Sequence, residues 1–510
     1  MPVLPFSAVS LLPWLYLFAC AVVVFLAYRR QSSWLWVPAI IAGYGGIALV
    51  VMDVLSGWLA NHVSDRLGLV MAALISFLAM VIINFSRGYL QGEPRQRRYL
   101  VALLLTLAAV AVVVTTDNLF WLVAAWISTS LSLHQLLVFY PERSSAQVVA
   151  HKKFLVSRLA DLCLLSATCL LVHAAGSSSI VLILQWVAEH AEGLGGLGWS
   201  VHLAALLMCV AVILKSAQLP VHGWLIQVME APTPVSALLH AGLVNLGGFL
   251  ILRFAPLFSA VPSAQTLLVI VGGLTAVLAA LVMMTRISIK VRLAWSTCAQ
   301  MGFMLMELGL GLYEVALVHL LAHSLYKAHA FLASGGTVNQ PGRLPEPMRQ
   351  GPGLQRALLA LPVALALIFL LHAVWTSWQP EHALPLVSLM VLAVGLAPWC
   401  FRQGAKVQAA IMLILLPAAY LSWHVAASFI LEGAPEATGF QTGLAVMAML
   451  FFISLYCVQA LILERPGSEL AQRLYPWAYA GFYLDEFFTR LTFRIWPPHS
   501  FSAAHLPKGM

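Results

Sequence analysis

Apolar runs of membrane-spanning length follow one another almost without pause along this chain. They fall near residues 9–28, 35–55, 68–86, 99–115, 119–139, 154–175, 200–219, 235–254, 265–285, 294–311, 315–335, 356–375, 384–400, 408–428 and 440–463. About 20 residues of helix cross the hydrocarbon of a bilayer, so the pattern predicts about fifteen transmembrane helices. Of the 510 residues, 61% are hydrophobic and only 9% charged, and the mean hydropathy is +0.91. No soluble domain of this size has an interior large enough to hide that much apolar surface. The fold class is therefore all-α, a polytopic membrane protein.

The formal net charge is +8, which in another setting would suggest a nucleic-acid partner. Here the positive residues cluster in short connecting loops, where they act as topology determinants, and no nucleic acid is expected. With the N-terminus outside, the inside loops hold Arg29/Arg30, Arg87/Arg95/Arg97/Arg98, Arg143/Lys152/Lys153, Arg286/Lys290/Arg292, Arg343/Arg349/Arg356 and Arg402/Lys406. The outside loops hold Asp65 with Arg66, Glu189 with Glu192, Glu381, and Glu432 with Glu436. Every strongly basic loop then lies on one side, and the tail after Glu464 is cytoplasmic. The run Leu11–Ala27 lacks a basic region before it and is followed by Arg29 and Arg30, so it is a first span rather than a signal peptide. The seven cysteines show no C-x-x-C and no metal-ligand spacing.

Leu214–Phe254 departs from this monotony. Lys215 closes an apolar run, Pro220 breaks that run, Pro232 and Pro234 open the next, and His240 sits inside it. A cation in a membrane segment costs about 3 kcal/mol or more, which makes it a functional candidate. A broken helix beside it frees backbone carbonyls and makes a wettable gap, as in ion-coupled transporters. The competing interpretation is a lysine near a helix end, snorkelling its ammonium to the interface.

A second cluster lies on the helix predicted over Glu314–Gly335. His319, His323 and Lys327 follow one another at i, i+4 on one face, with His329 on another part of the wheel. Imidazole donates and accepts protons near neutral pH, so the stripe suits a relay. Histidines tied to neighbouring backbone for packing are the alternative. A zinc pair is disfavoured by the lysine on the same stripe, and no metal site is expected in this chain. Glu307 either ends the relay or faces lipid headgroups. Arg158 and Asp161 are spaced to pair. Asp53 is expected at the interface. The tail alternates aromatic and charged residues, and a helix over Phe482–Ile495 would be amphipathic. It would serve as an interfacial anchor, with Trp477 and Trp496 at headgroup depth, or as a dock for a cytoplasmic partner through Tyr483, Asp485, Glu486, Phe487 and Arg490.

From Lys215 to Gly242, and again from Lys290 to Gly335 (KVRLAWSTCAQMGFMLMELGLGLYEVALVHLLAHSLYKAHAFLASG), the chain resembles the antiporter-like subunits of respiratory complex I and Mrp-type cation antiporters. YKAHAFLASGG and, in the tail, GFYLDEFFTRL are similar to one branch, the DabB-type membrane subunits of two-component inorganic carbon accumulation complexes. The resemblance implies that Lys215 takes and passes a proton and that His240 relays it inward. It implies that His319, His323 and Lys327 form the second relay, with Arg158 and Asp161 a charged pair at the start of the sixth helix. It further implies a bacterial inner-membrane location and a soluble cytoplasmic partner, DabA, a zinc protein similar to a carbonic anhydrase.

Two positions depart from the pumping relatives. Their fifth-helix glutamate falls on Ile127, and their twelfth-helix lysine has no counterpart among Leu361–Trp378, which offers only His372. His134, two turns beyond Ile127, is a candidate substitute. The expected organisation is three N-terminal helices (1–98), two antiporter-like repeats of five helices in inverted orientation (99–254 and 265–400), C-terminal helices (401–463) and an amphipathic tail (464–510). The expected function is conduction of H⁺ or Na⁺ that energises CO₂ hydration by the zinc partner, with no cofactor and no catalysis in this chain. The alternatives are a subunit of a quinone-linked proton pump or multi-subunit antiporter, and a structural scaffold.

Overall fold

The computed structural model describes residues 7–29, 34–60, 65–191, 196–339, 354–379, 384–400, 406–431 and 441–496. Arg30, Glu192, Arg343, Arg349, Glu381, Arg402, Glu432 and Glu436, on which the loop-charge pattern partly rests, lie outside the described residues. The described chain is helical, with one isolated bridge between Asn118 and Ser179. It divides into two compact units, Met1–Ala264 with Leu321–Ser334 and Leu484–Met510, and Gln265–Leu320 with Gly335–Tyr483.

The first unit contains α1 (Leu12–Tyr28), α2 (Val37–Ala60), α3 (Arg66–Tyr89), α4 (Gln96–Thr115), α5 (Leu119–Leu137), α6 (Ser144–Ala175) and α7 (Ile180–Ala191). It continues through α8 (Trp199–Lys215), α9 (Gly223–Ile226), α10 (Thr233–Ala241), α11 (Leu246–Arg253) and α12 (Ala255–Ser259). The second unit takes α13 (Pro262–Met284) from Gln265 onward, α14 (Ile289–Gly309) and α15 (Tyr313–Ala333) as far as Leu320. It then holds α16 (Leu354–Trp378), α17 (Leu386–Cys400), α18 (Lys406–Ile430), α19 (Gln441–Glu464) and α20 (Glu469–Tyr479). The rest of α15 and the tail helix α21 (Leu484–Ile495) belong to the first unit.

Each of the fifteen predicted runs is helical. Twelve candidate spans meet both length and apolarity for crossing a bilayer, with α10 and α11 together making one. The others are α8 and α17, of 17 and 15 residues, and α14, which carries Lys290, Arg292 and Glu307. The sequence did not announce α7, a 12-residue helix.

Helix ends follow local chemistry. Asn118 accepts from the amides of Phe120 and Trp121 at 3.0 and 3.2 Å and starts α5. Asp65 accepts from Gly68 N at 2.7 Å and starts α3, and its carboxylate also meets Arg253 at 2.8 Å. Gly176, at φ +68°, ends α6 in the left-handed conformation. Asp53 binds the Ser7 hydroxyl and the Ala8 amide at 2.8 and 2.5 Å, tying α2 to the turn before α1.

The helix α6 sets the frame for the site. Ala146, Ala150, Lys153, Ser157, Ala160, Leu164, Ala167 and Leu171 recur every three or four residues and are all buried. This seam of mostly small side chains packs against α5 and α8. It also corrects the sequence interpretation. Lys152 and Lys153 are not loop charges: α6 begins at Ser144 and carries both into the protein. The tail helix starts at Leu484 rather than Phe482, because Phe482 and Tyr483 take φ of +55° and +57° and interrupt it.

Candidate ion-conducting site

Lys215 is the last residue of α8. Beyond it the chain leaves the helix, with Ala217 at φ +51°, and α9 resumes only at Gly223 after Pro220. Gln218, fully buried in this gap, donates its side-chain amide to the carbonyl of Ser216 at 3.0 Å and so satisfies a group the break exposes. Lys215 is only 7% exposed. Its ammonium donates to Thr129 Oγ1 at 3.0 Å, Ser130 Oγ at 2.9 Å and the Trp126 carbonyl at 3.4 Å, and lies 4.4 Å from the centre of the Trp126 ring. These groups come from one face of α5 at i, i+3 and i+4. The amine is held in the interior by neutral oxygens and a π-face, which excludes snorkelling. Gly247 permits the supporting contact of α11 with α8, because a methyl there would collide with Ser216 Oγ and come within 3.0 Å of Val212 Cγ1.

The second interruption was not apparent from the prolines. Pro232 and Pro234 begin α10 as expected. The helix then breaks at Gly242 (φ −120°, ψ −67°), and a short 3₁₀ turn, Leu243–Asn245, leads into α11. His240 is the penultimate residue before that break, as Lys215 is the last before the other. Asn245 Nδ2 donates to the Ala241 carbonyl at 2.9 Å and to Ser324 Oγ on α15 at 2.7 Å, bridging the break to that helix. The buried His240 ring stacks on Phe331 of α15 at 4.3 Å, and neither ring nitrogen meets a hydrogen-bond partner among the described residues. Lys327, fully buried, lies one turn before Phe331, with buried His323 one turn before that. His329 is exposed, as its place on the wheel required.

His319 belongs to the second unit. Its Nδ1 lies 2.8 Å from Glu307 Oε2, and Glu307 is only 3% exposed. Glu307 therefore does not face headgroups; it is an interior carboxylate paired with His319. His372 accepts from the Leu384 amide at 3.0 Å, which gives it a local structural task.

The sequence missed Lys153. It is 3% exposed and donates to the Ser130 carbonyl at 2.6 Å, on the same residue whose hydroxyl receives Lys215. The signal was present: Lys153 occupies one position in the seam of α6. Arg158 and Asp161 form an ion pair at 2.6 Å, and Arg158 also lies over the Phe154 ring at 5.0 Å. His134 meets the edge of Phe154 at a ring separation of 5.5 Å. Asn245 and Ser324, also unforeseen, carry no sequence signal beyond being polar in apolar runs.

At the other end of this region the tail is fastened to the broken-helix segment. Buried Lys152 meets Asp485 of α21 at 2.9 Å and Gln227 at 3.0 Å, and Gln227 also donates to Asp485 at 3.0 Å. Gly223 leaves room for that carboxylate, which a methyl there would strike. Trp496 stacks on His151 at 3.9 Å, so it is not a free headgroup anchor, whereas Trp477 is exposed. Of the five tail residues with an expected docking role, Asp485 turns inward; Tyr483 and Phe487 are exposed, and Glu486 pairs with Arg490 on the surface.

Comparison with known proteins agrees with this architecture. Residues 116–397 match the family model described as "NADH:quinone oxidoreductase/Mrp antiporter, TM". A probable inorganic carbon transporter subunit DabB of Hydrogenovibrio crunogenus is 38% identical, over 92% of this chain and 92% of its own length. The DabB2 form of Halothiobacillus neapolitanus is 38% identical over 94% of this chain and 86% of its own. NADH-quinone oxidoreductase subunit L of Rhodobacter capsulatus is 30% identical over 74% of this chain and 52% of its own. Among solved structures, the Mrp complex of Dietzia superposes with a TM-score of 0.62 at 24% identity, covering 94% of this chain and 60% of that one, a likeness of fold. The chain thus belongs to the NADH:quinone oxidoreductase/Mrp antiporter membrane family, as an antiporter-like cation-transport subunit whose near-full-length relatives are DabB inorganic carbon transporter subunits.

Proposed function

We propose that this chain conducts H⁺ down its gradient through Lys215, His240, Lys327, His323 and His319, and that the flow energises inorganic carbon accumulation by a soluble partner. The observation that carries this reading is the buried ammonium of Lys215 at a helix break, held by neutral hydroxyls and a carbonyl. A group so held can lose its proton without breaking an ion pair. Lysines and histidines load and release protons, whereas they repel Na⁺, which such sites coordinate with carbonyl oxygens. H⁺ is therefore the ion best matched to the path. The partner is a zinc protein on the cytoplasmic face that hydrates CO₂ to bicarbonate; this chain supplies no cofactor to it. The names of the relatives, probable inorganic carbon transporter subunits, support a role in inorganic carbon transport. Such a partner requires the tail to be cytoplasmic and the N-terminus outside, in a bacterial inner membrane. The exposed side of α21, with Phe487, Glu486 and Arg490, is the surface assigned to it.

The test has two stages. Mild-detergent purification of the tagged chain from its own membranes is expected to bring down one large soluble zinc protein. Further membrane subunits with flavin or iron–sulfur proteins would instead make the chain part of a quinone-linked pump. The purified complex in proteoliposomes is then expected to carry protons under an imposed potential, and Lys215→Ala to abolish the flux. An assembled Lys215→Ala complex with full flux would overturn the conduction reading.

A further inference from the structure

Two buried amines meet on one residue. The hydroxyl of Ser130 receives Lys215 at 2.9 Å and its carbonyl receives Lys153 at 2.6 Å. Lys153 comes from α6 and Lys215 from α8, and both helices pack in the first unit. The charged or titratable groups around the pair are Arg158 and Asp161 on α6, which are bound to each other, and His134 on α5, which meets Phe154. Among the described residues no carboxylate is hydrogen-bonded to either amine. Two ammonium groups bound to the same residue in a medium of low dielectric repel one another.

We propose that Lys153 is a second proton-carrying residue of the path, exchanging one proton with Lys215 beside Ser130. The inference rests on the conduction reading above. In the exchange, an N–H bond of the Lys153 ammonium breaks and leaves its electron pair on Nζ. The lone pair of neutral Lys215 forms the new N–H bond. One cation and one neutral amine stand before and after the step, so no further reactant is needed. Lys153 neighbours Lys152, which the tail holds through Asp485, so α6 supplies the end of the path nearest the tail.

The experiment measures proton flux in proteoliposomes made from the whole purified complex, for wild type, Lys153→Gln, Lys153→Arg and Lys153→His. Gln removes the proton carrier. Arg keeps a cation and a donor for the Ser130 carbonyl but does not release its proton. His is smaller and able to carry one. The expected result is a loss of at least tenfold for Gln and Arg, with His retaining several times more flux than Arg. Lys153→Gln is expected to add no further loss in a Lys215→Ala background. Wild-type flux in Lys153→Gln or in Lys153→Arg would overturn the proposal, the latter by showing that a fixed cation suffices. If Gln and Arg both fail to assemble, His decides: flux below a tenth of wild type in the assembled His complex counts against the relay. A wild-type complex that carries no protons at all would overturn the underlying conduction reading, a result distinct from the others.

Discussion

The two units bury charge in opposite ways. Around Lys215 the first unit places amines against neutral oxygens and an indole face, with no carboxylate among the described residues bonded to Lys215 or Lys153. In the second unit two described carboxylates meet imidazoles: buried Glu307 meets His319 at 2.8 Å, and half-buried Glu314 meets His424 at 3.1 Å. Breaking a buried pair strands a charge, so paired arrangements are tied to stability. An ammonium hydrogen-bonded only to neutral groups can release its proton without breaking an ion pair, which makes it a better candidate for proton exchange. The contrast separates amines held by neutral groups from carboxylates held by imidazoles.

The sharpest way to break this contrast is Lys327→Met. Methionine fills a similar volume without charge, and replacing a buried ion by a hydrophobic group is often neutral or stabilising. Proton flux is expected to fall about a hundredfold, equivalent to about 2.7 kcal/mol of barrier, while the unfolding midpoint in detergent holds or rises. Retained flux would remove Lys327 from the path. A lowered midpoint would place it among the stabilising groups, like Glu307.

The opposite outcome is expected for Glu307→Ala. His319 loses its contact with the buried carboxylate, at a cost of about 2 kcal/mol. The check is SDS-driven unfolding of the reconstituted protein, and an unchanged midpoint would show that the pair contributes nothing. Next comes Asp485→Ala. Lys152 keeps Gln227, and the Asp485 side chain is 26% exposed, so solvent screening cuts the loss to about 1 kcal/mol. Limited proteolysis between α20 and α21 is expected to accelerate by about fivefold. Unchanged proteolysis would mean that the tail is held by the Trp496–His151 stack alone.

How much of this was legible in the sequence follows from what each signal reports. Hydropathy reports the bilayer, and fifteen runs became helices for that reason. The i, i+4 spacing of His319, His323 and Lys327 reports a shared face, but not that Glu307 lies against the first of them. Lys153 was hidden by its neighbour. Two adjacent lysines after a polar stretch have the composition of a loop, and only the spacing Ala146, Ala150, Lys153, Ser157 shows that the helix already runs through them. The break at Gly242 was hidden because a glycine in an apolar run is common in transmembrane helices. The inward turn of Asp485 depends on Lys152, 333 residues earlier in the chain, and no local pattern reports such a distance.

The smallest expected effect belongs to Arg490→Ala, and its smallness makes it informative. Arg490 and Glu486 pair at i, i+4 on the outer side of α21, with side chains 78% and 49% exposed. Such a pair contributes about 0.3 kcal/mol, so stability and tail proteolysis should match wild type. Asp485, one residue from Glu486, faces inward and acts on the fold; Arg490 faces outward and is free to act on a partner. A pull-down with Arg490→Ala is therefore expected to recover less of the zinc protein at unchanged membrane levels, by about fivefold for a rim charge at an interface. Full recovery would move the docking surface elsewhere. A loss of stability equal to that of Asp485→Ala would show that the outer face of α21 is bound to this chain, removing the distinction between its two sides.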